Sequence, residues 1–168
     1  MNHLRITLAL VAIFLSAGTL HARKNSSAVY REAARLAMAG DIDAAIPKFK
    51  EALAINPYYS TGHYGLGKAY LHREGKIKDA IRSLERAIRL DSKNAKGHFY
   101  LGIAYLMKEK YVKAVHAFDD AYRNDSTFIE ALYNMGAAYD IMGYEGKAKK
   151  YFDLFYLKKE KVDRDVLF

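Results

Sequence analysis

Apolar residues recur along this chain at steps of three and four, in short blocks separated by polar turns. That spacing puts one apolar stripe on a helix, because about 3.6 residues complete a turn. One block reads Phe99, Gly102, Ile103, Leu106 and Met107. A polar turn follows at 108–110, and then Val112, Val115, Phe118 and Ala121 mark a second helix, closed by Asn124, Asp125 and Ser126. The two predict a helical hairpin, and the hairpin repeats. His63, Leu66, Gly67 and Tyr70 match His98, Leu101, Gly102 and Tyr105, and then Leu132, Met135, Gly136 and Tyr139. In the second helices Ala45 and Phe49 keep step with Ala80 and Leu84, Ala114 and Phe118, and Ala148 and Phe152. A fixed period of about 34 residues predicts a stacked array in which no unit buries its apolar face alone.

The repeated residue types have physical reasons. Gly67, Gly102 and Gly136 let the two helices of a hairpin approach closely, helped by Ala52, Ala87 and Ala121 from the second helix. Tyr70, Tyr105 and Tyr139 are large enough to fill the space between hairpins. Gly40 and Gly143 suit tight turns. Ser26 and Ser27 are expected to cap the first helix.

With these residues in view, the chain resembles the tetratricopeptide repeat (TPR) family, whose signature sets an aromatic, Leu-Gly, Tyr, Ala, Phe and Pro at fixed offsets. The resemblance implies an all-α, right-handed solenoid of four helix-turn-helix hairpins at 26–59, 60–94, 95–128 and 129–162, with a tail at 163–168. There are departures. The leading aromatic is Val29, His63, His98 and Leu132, and only Pro57 keeps the closing proline; Ser92, Ser126 and Glu160 replace it elsewhere. Glu32 stands where leucine is usual, at an end with no preceding neighbour. The second repeat carries one extra residue, placed in its turn near 73–76. Pro47 is expected near the start of a helix, where a missing N–H costs little.

The N-terminus has a different pattern. One positive charge precedes an apolar run from Ile6 to Leu15, broken only by Thr7, and small residues follow. This is the layout of a secretory signal peptide over 1–22, with cleavage after Gly18 or after Ala22. The alternative is an uncleaved membrane anchor, although the apolar stretch is shorter than the roughly 20 residues that span a bilayer. With no cysteine in the chain, a lipoprotein anchor is excluded, as are disulfides and thiolate metal sites. The formal charge is +8, and losing the leader removes only Arg5 from it.

No catalytic constellation, cofactor loop or metal motif is read from the chain. His63 and His98 share one repeat position and are expected to replace the usual aromatic. No acidic residue on the same helix has the spacing to complete a metal site with them. Asp119 and Asp120 read as solvated surface.

Binding surfaces carry more. In the resembled family the first helices line a groove. Carried over, the groove holds Tyr30, Tyr64, Phe99 and Tyr133 as an aromatic ladder, with Ile103, the cations Lys68 and Lys96, and Asp140. Some members of the family bind a chaperone's terminal carboxylate through Lys, Asn and Arg on successive first helices. Here the matching places hold Tyr30 and Ala34, or Tyr64, Lys68 and Tyr100, which does not extend the resemblance to that mode. A second surface is the basic stripe Lys78, Arg82, Arg86, Arg89 and Lys93, read either as a solvated face or as a contact for anionic membrane lipid or an acidic protein patch. A third is an aromatic C-terminal face, Tyr151 and Phe155 with Leu167 and Phe168, open to a tail that folds back or to a homodimer. Interleaved acids and the leader argue against nucleic acid. The expected function is a non-catalytic scaffold in the periplasm or cell envelope that binds a protein or peptide, the alternative being a structural protein that assembles through its own repeats.

Overall fold

The computed structural model describes residues 25–166, with side chains through Lys161. Eight helices run in sequence: α1 (25–38), α2 (Ile42–Ile55), α3 (Ser60–Leu71), α4 (Ile77–Leu90), α5 (Ala95–Leu106), α6 (Tyr111–Asn124), α7 (Glu130–Ile141) and α8 (Glu145–Val166). Among the described residues there is no strand. Consecutive helices pair as hairpins, and each hairpin packs on the next, giving an all-α solenoid. The expected signal segment, 1–22, and Leu167 and Phe168 lie outside the described residues.

Close approach within each hairpin is set where the sequence placed it. A Cβ on Gly67 would lie 2.6 Å from Leu84, on Gly102 2.6 Å from Phe118, and on Gly136 2.8 Å from Phe152. In the first hairpin Ala33 takes the glycine's place. The core is three abutting clusters along the array: Phe49 with Leu66 and Tyr70, Leu84 with Leu101, and Phe118 with Leu132 and Met135. Tyr105 also ties repeats together, its hydroxyl donating to Glu85 at 2.9 Å. Burial and then that bond push its phenol up to about 12.

The turns repeat as regularly as the helices. After α2, α4 and α6 the side chains of Asn56, Asp91 and Asp125 accept the amides of Tyr58, Lys93 and Thr127, the same Asx turn three times. Asp41 and Asn94 cap α2 and α5 by accepting from Ala44 and Gly97. Ser26 does not act as a cap of this kind. It is buried and its hydroxyl donates to the Ala52 carbonyl at 2.8 Å, and Ser60 does the same to Ala87 at 3.1 Å. Glu32 meets Lys48 of α2 at 3.5 Å. Pro47 lies past the first turn of α2, where its missing amide leaves the Asp43 carbonyl without a helical partner. At the far end α8 continues to Val166, so 163–166 of the expected tail are helical.

Within hairpins, three connections close alike. The amides of Asp41, Lys110 and Tyr144 reach back to Leu36, Tyr105 and Tyr139, while those of Gly40, Glu109 and Gly143 bond Ala37, Leu106 and Asp140. This turn needs one left-handed residue. Gly40 and Gly143 supply it at φ +84° and +78°, and the third repeat uses Glu109 at φ +57°. A side chain there costs about 1–2 kcal/mol. Glu109→Gly should therefore stabilise the fold by about 1 kcal/mol, read as a higher urea midpoint with unchanged slope. An unchanged or lower midpoint would contradict this account of the turn.

Candidate functional site

Two clefts flank α3. On one side, α1, α3 and α5 together with the α2 residues Ile42 and Phe49 enclose about 620 Å³. Tyr30, Tyr64 and Tyr100 give it aromatic surface, Ala34 and Ala69 give it depth, and Lys68 and Lys96 add charge. Ala34 and Ala37 add short side chains to its lining, and Gly65 lets the Phe49 and Tyr30 rings close in, since a Cβ there would lie 2.5 Å from Phe49. Tyr64 and Tyr100 have ring centroids 5.8 Å apart, and the Lys68 ammonium sits 4.9 Å above the Tyr100 ring. Burial raises the phenols of Tyr30 and, more strongly, Tyr64 above the usual tyrosine range, so both stay neutral at physiological pH.

Four of the expected groove residues, Tyr30, Tyr64, Lys68 and Lys96, thus share one cleft. The rest of the ladder goes elsewhere. Phe99 packs at 5.5 Å on Phe118 and 5.2 Å on Phe128, and Ile103 joins the same cluster. Tyr133 packs on Phe152 and Phe155, both at 5.3 Å. Tyr30 makes the matching contact with Phe49 at 5.6 Å. Three of the four aromatics at this place therefore brace the second helix of their own hairpin. Leu84 replaces the partner ring in repeat two, and Tyr64 turns to Tyr100 instead. Asp140 is exposed and outside the cleft lining. Tyr100, not expected from the repeat register, is the residue that lines the cleft in place of Phe99.

Of the expected C-terminal face, Tyr151 and Phe155 fall among the described residues. Tyr151 stacks on Tyr139 at 5.6 Å, and Phe155 packs on Tyr133. Both are half-buried and pack against the core cluster that α6 and α7 share. Among the described residues of α8, the large apolar side chains most exposed are Tyr156 and Leu157, with the Tyr156 ring 5.2 Å from that of Phe155.

On the opposite side of α3, His63, Leu66 and Tyr70 floor a cleft of about 420 Å³ walled by Asp79, Arg82, Ser83, Arg86 and Arg89 of α4. Three members of the expected basic stripe meet here. Lys78 is exposed outside the lining, and Lys93 lies in the turn after α4, its amide bonded to Asp91, so the stripe ends at Arg89. Arg82 reaches Asp79 at 3.7 Å and Arg89 reaches Glu85 at 3.9 Å, while Arg86 lies over the Tyr58 ring at 5.7 Å.

His63 and His98 do stand in for the aromatic, and they do so with a polar handle. Each ring Nε2 lies near a carbonyl of the preceding turn, Pro57 at 2.9 Å and Ser92 at 3.0 Å. Burial lowers the His63 pKa, and the nearby Arg86 and Arg89 lower it further against the bond to Pro57. His98 has an acidic neighbour that spacing along one helix does not reveal: Asp120 of α6 stands 3.7 Å from its Nδ1, and Asp119 pairs with Arg123 at 2.8 Å. Among the described residues no three His, Cys, Asp or Glu side chains form a group able to hold a metal ion, and no helix is long and apolar enough to cross a membrane.

Residues 71–109 match a family model described as TPR repeat, and 129–155 match one described as tetratricopeptide repeat. No curated protein matches the chain in sequence. Among solved structures, MamA superposes with a TM-score of 0.79 at 26% identity, over 83% of this chain and 81% of that one. MamA from Desulfovibrio magneticus RS-1 gives 0.75 at 22% identity, over 81% and 76%. The first TPR of Spaghetti (RPAP3), solved bound to the HSP90 peptide SRMEEVD, gives 0.68 at 17% identity, over 71% and 94%; at these lower identities the likeness shows the fold alone. With four repeated hairpins, two matching repeat models and these superpositions, the chain belongs to the tetratricopeptide-repeat family.

Proposed function

We propose that this protein is a non-catalytic scaffold that holds a segment of a protein partner in the cleft between α1, α3 and α5. The observation that carries this reading is the joining of aromatic surface from Tyr30, Tyr64 and Tyr100 to two cations, Lys68 and Lys96, in about 620 Å³. Such a cleft takes a large apolar side chain with an acidic neighbour. The apolar part supplies burial, and the lysines steer the charge. The peptide-bound Spaghetti domain supports the general use of this fold for holding a peptide. The chain's own residues, not that relative's ligand, set the chemistry proposed here.

The leader-like residues 1–22 support placing the scaffold in the cell envelope. A second reading, self-association, is favoured by Tyr156 and Leu157, which are 56% and 61% exposed on α8.

Each part has a measurement. Peptides selected from a displayed random library should carry an aromatic or leucine flanked by Asp or Glu. Lys68→Glu or Tyr100→Ala should weaken them at least tenfold, about 1.4 kcal/mol. Selected peptides indifferent to both variants would rule the cleft out. N-terminal sequencing of the native protein should find a first residue between Thr19 and Arg23 in the envelope fraction; a chain still starting at Met1 in the cytosol would reject export. For self-association, light scattering should show mass rising with concentration and Leu157→Glu reversing it, whereas a concentration-independent monomer would remove that reading.

A further inference from the structure

The two histidine clefts of the array are built alike and differ in charge: Lys113 and Asp120 balance in one, whereas Arg82, Arg86 and Arg89 outnumber Asp79 in the other. In repeat three, His98, Leu101 and Tyr105 floor a cleft of about 260 Å³. In repeat two, the aligned His63, Leu66 and Tyr70 floor one of about 420 Å³. The walls differ. Repeat three supplies its own carboxylate, Asp120, 3.7 Å from the His98 ring. The aligned position of α4 is Arg86, with Arg82 aligned to His116. Where one cleft carries its anion, the other presents a cation.

We propose that the cleft walled by Arg82, Arg86 and Arg89 is a second binding site, which takes an acidic segment of a protein partner. Three guanidiniums spaced from 82 to 89 along α4 span about 10 Å. That length matches carboxylates a few residues apart on a peptide, each able to accept paired N–H donors from an arginine. Arg86 is held over the Tyr58 ring at 5.7 Å, which fixes its planar head without an acid. The ion pairs of Arg82 and Arg89, at 3.7 and 3.9 Å, are long and exposed, so both arginines can turn to a ligand. Leu66 and Tyr70 on the floor accept an apolar side chain between the acids. A membrane surface fits less well, because the cations wall a cleft and Asp79 and Glu85 stand among them.

The site is separate from the cleft on α1, α3 and α5. Tyr64, Lys68 and His72 line that cleft, whereas His63, Leu66 and Tyr70 line this one. At 100° per residue these sets fall on opposite sides of α3.

The probe is a fluorescein-labelled peptide, EELEEFEE, followed by anisotropy at low salt with the full chain. We expect saturable binding that is lost when its glutamates become glutamines. Arg86→Asp should weaken it at least tenfold. This variant copies the residue that repeat three carries at the same place, and circular dichroism should show the parent's helicity. The double variant Arg82→Gln, Arg89→Gln changes only exposed positions and should weaken binding similarly. Because the cleft on α1, α3 and α5 is proposed to take a segment of the same kind, every measurement is made in the Lys68→Glu background, where the loss on Arg86→Asp should persist; this separates the two clefts. Equal binding by folded Arg86→Asp, equal binding of the glutamine peptide, or binding to phosphatidylglycerol vesicles but not to the peptide would each overturn the proposal.

Discussion

The contact between a glycine on the first helix and a large apolar side chain on the second governs this structure. Gly67 admits Leu84, and Gly102 and Gly136 admit the rings of Phe118 and Phe152. Leu84 and Phe118 are fully buried, so a methyl group at the facing glycine would have no space to push them into. The distance between the helices of a hairpin is thereby fixed. With that distance fixed, the next hairpin can lie against the same surface, and Tyr70 and Tyr105 fill the remaining gaps. Nearest-neighbour contacts then stabilise the array.

The same spacing makes both clefts. Close-packed helices within a hairpin leave gaps between successive first helices on one side and beside a second helix on the other. What each gap offers is set by the side chains that line it: Tyr64, Tyr100, Lys68 and Lys96 in the first, and the α4 arginines in the second. The scaffold therefore tolerates change where function sits. Arg86 and Asp120 occupy one repeat position with opposite charge on the same backbone.

Much of this was legible in the sequence because a repeat shows each constraint several times. The hairpins, the close-approach glycines, and the turns at Gly40 and Gly143 all follow from residues that recur. The site was less legible. Helical periodicity assigns a residue to a side of a helix but not to one of two neighbours on that side. Phe99 and Tyr133 are on the expected side, yet a ring partner on the second helix draws each toward its own hairpin. The signal lay in α4, where Leu84 replaces the phenylalanine and frees Tyr64 for Tyr100. Tyr151 and Phe155 likewise have ring partners, Tyr139 and Tyr133, that precede them in the same hairpin. Lys93 kept the spacing of the stripe after the helix had ended, because Asp91 had already begun the turn.

The histidines show how a departure from a family pattern can be structural and still bear on chemistry. A tryptophan at this place would fill the space and carry one indole N–H donor. A histidine fills most of that space and places Nε2 against the turn carbonyl, so it anchors the turn before its own helix. With that nitrogen committed, the other side of the ring responds to whatever the neighbouring second helix offers. For His98 that is a carboxylate, and the pairing is complete within the chain. For His63 it is a pair of arginines, whose charge adds to burial in keeping the ring neutral near pH 7. A neutral ring beside cations leaves the positive charge of that cleft concentrated on Arg82, Arg86 and Arg89. The acids paired with them, Asp79 and Glu85, stand at the long distances of 3.7 and 3.9 Å. The imbalance is local, confined to one repeat of four that share a backbone, which is why it points to recognition rather than to stability.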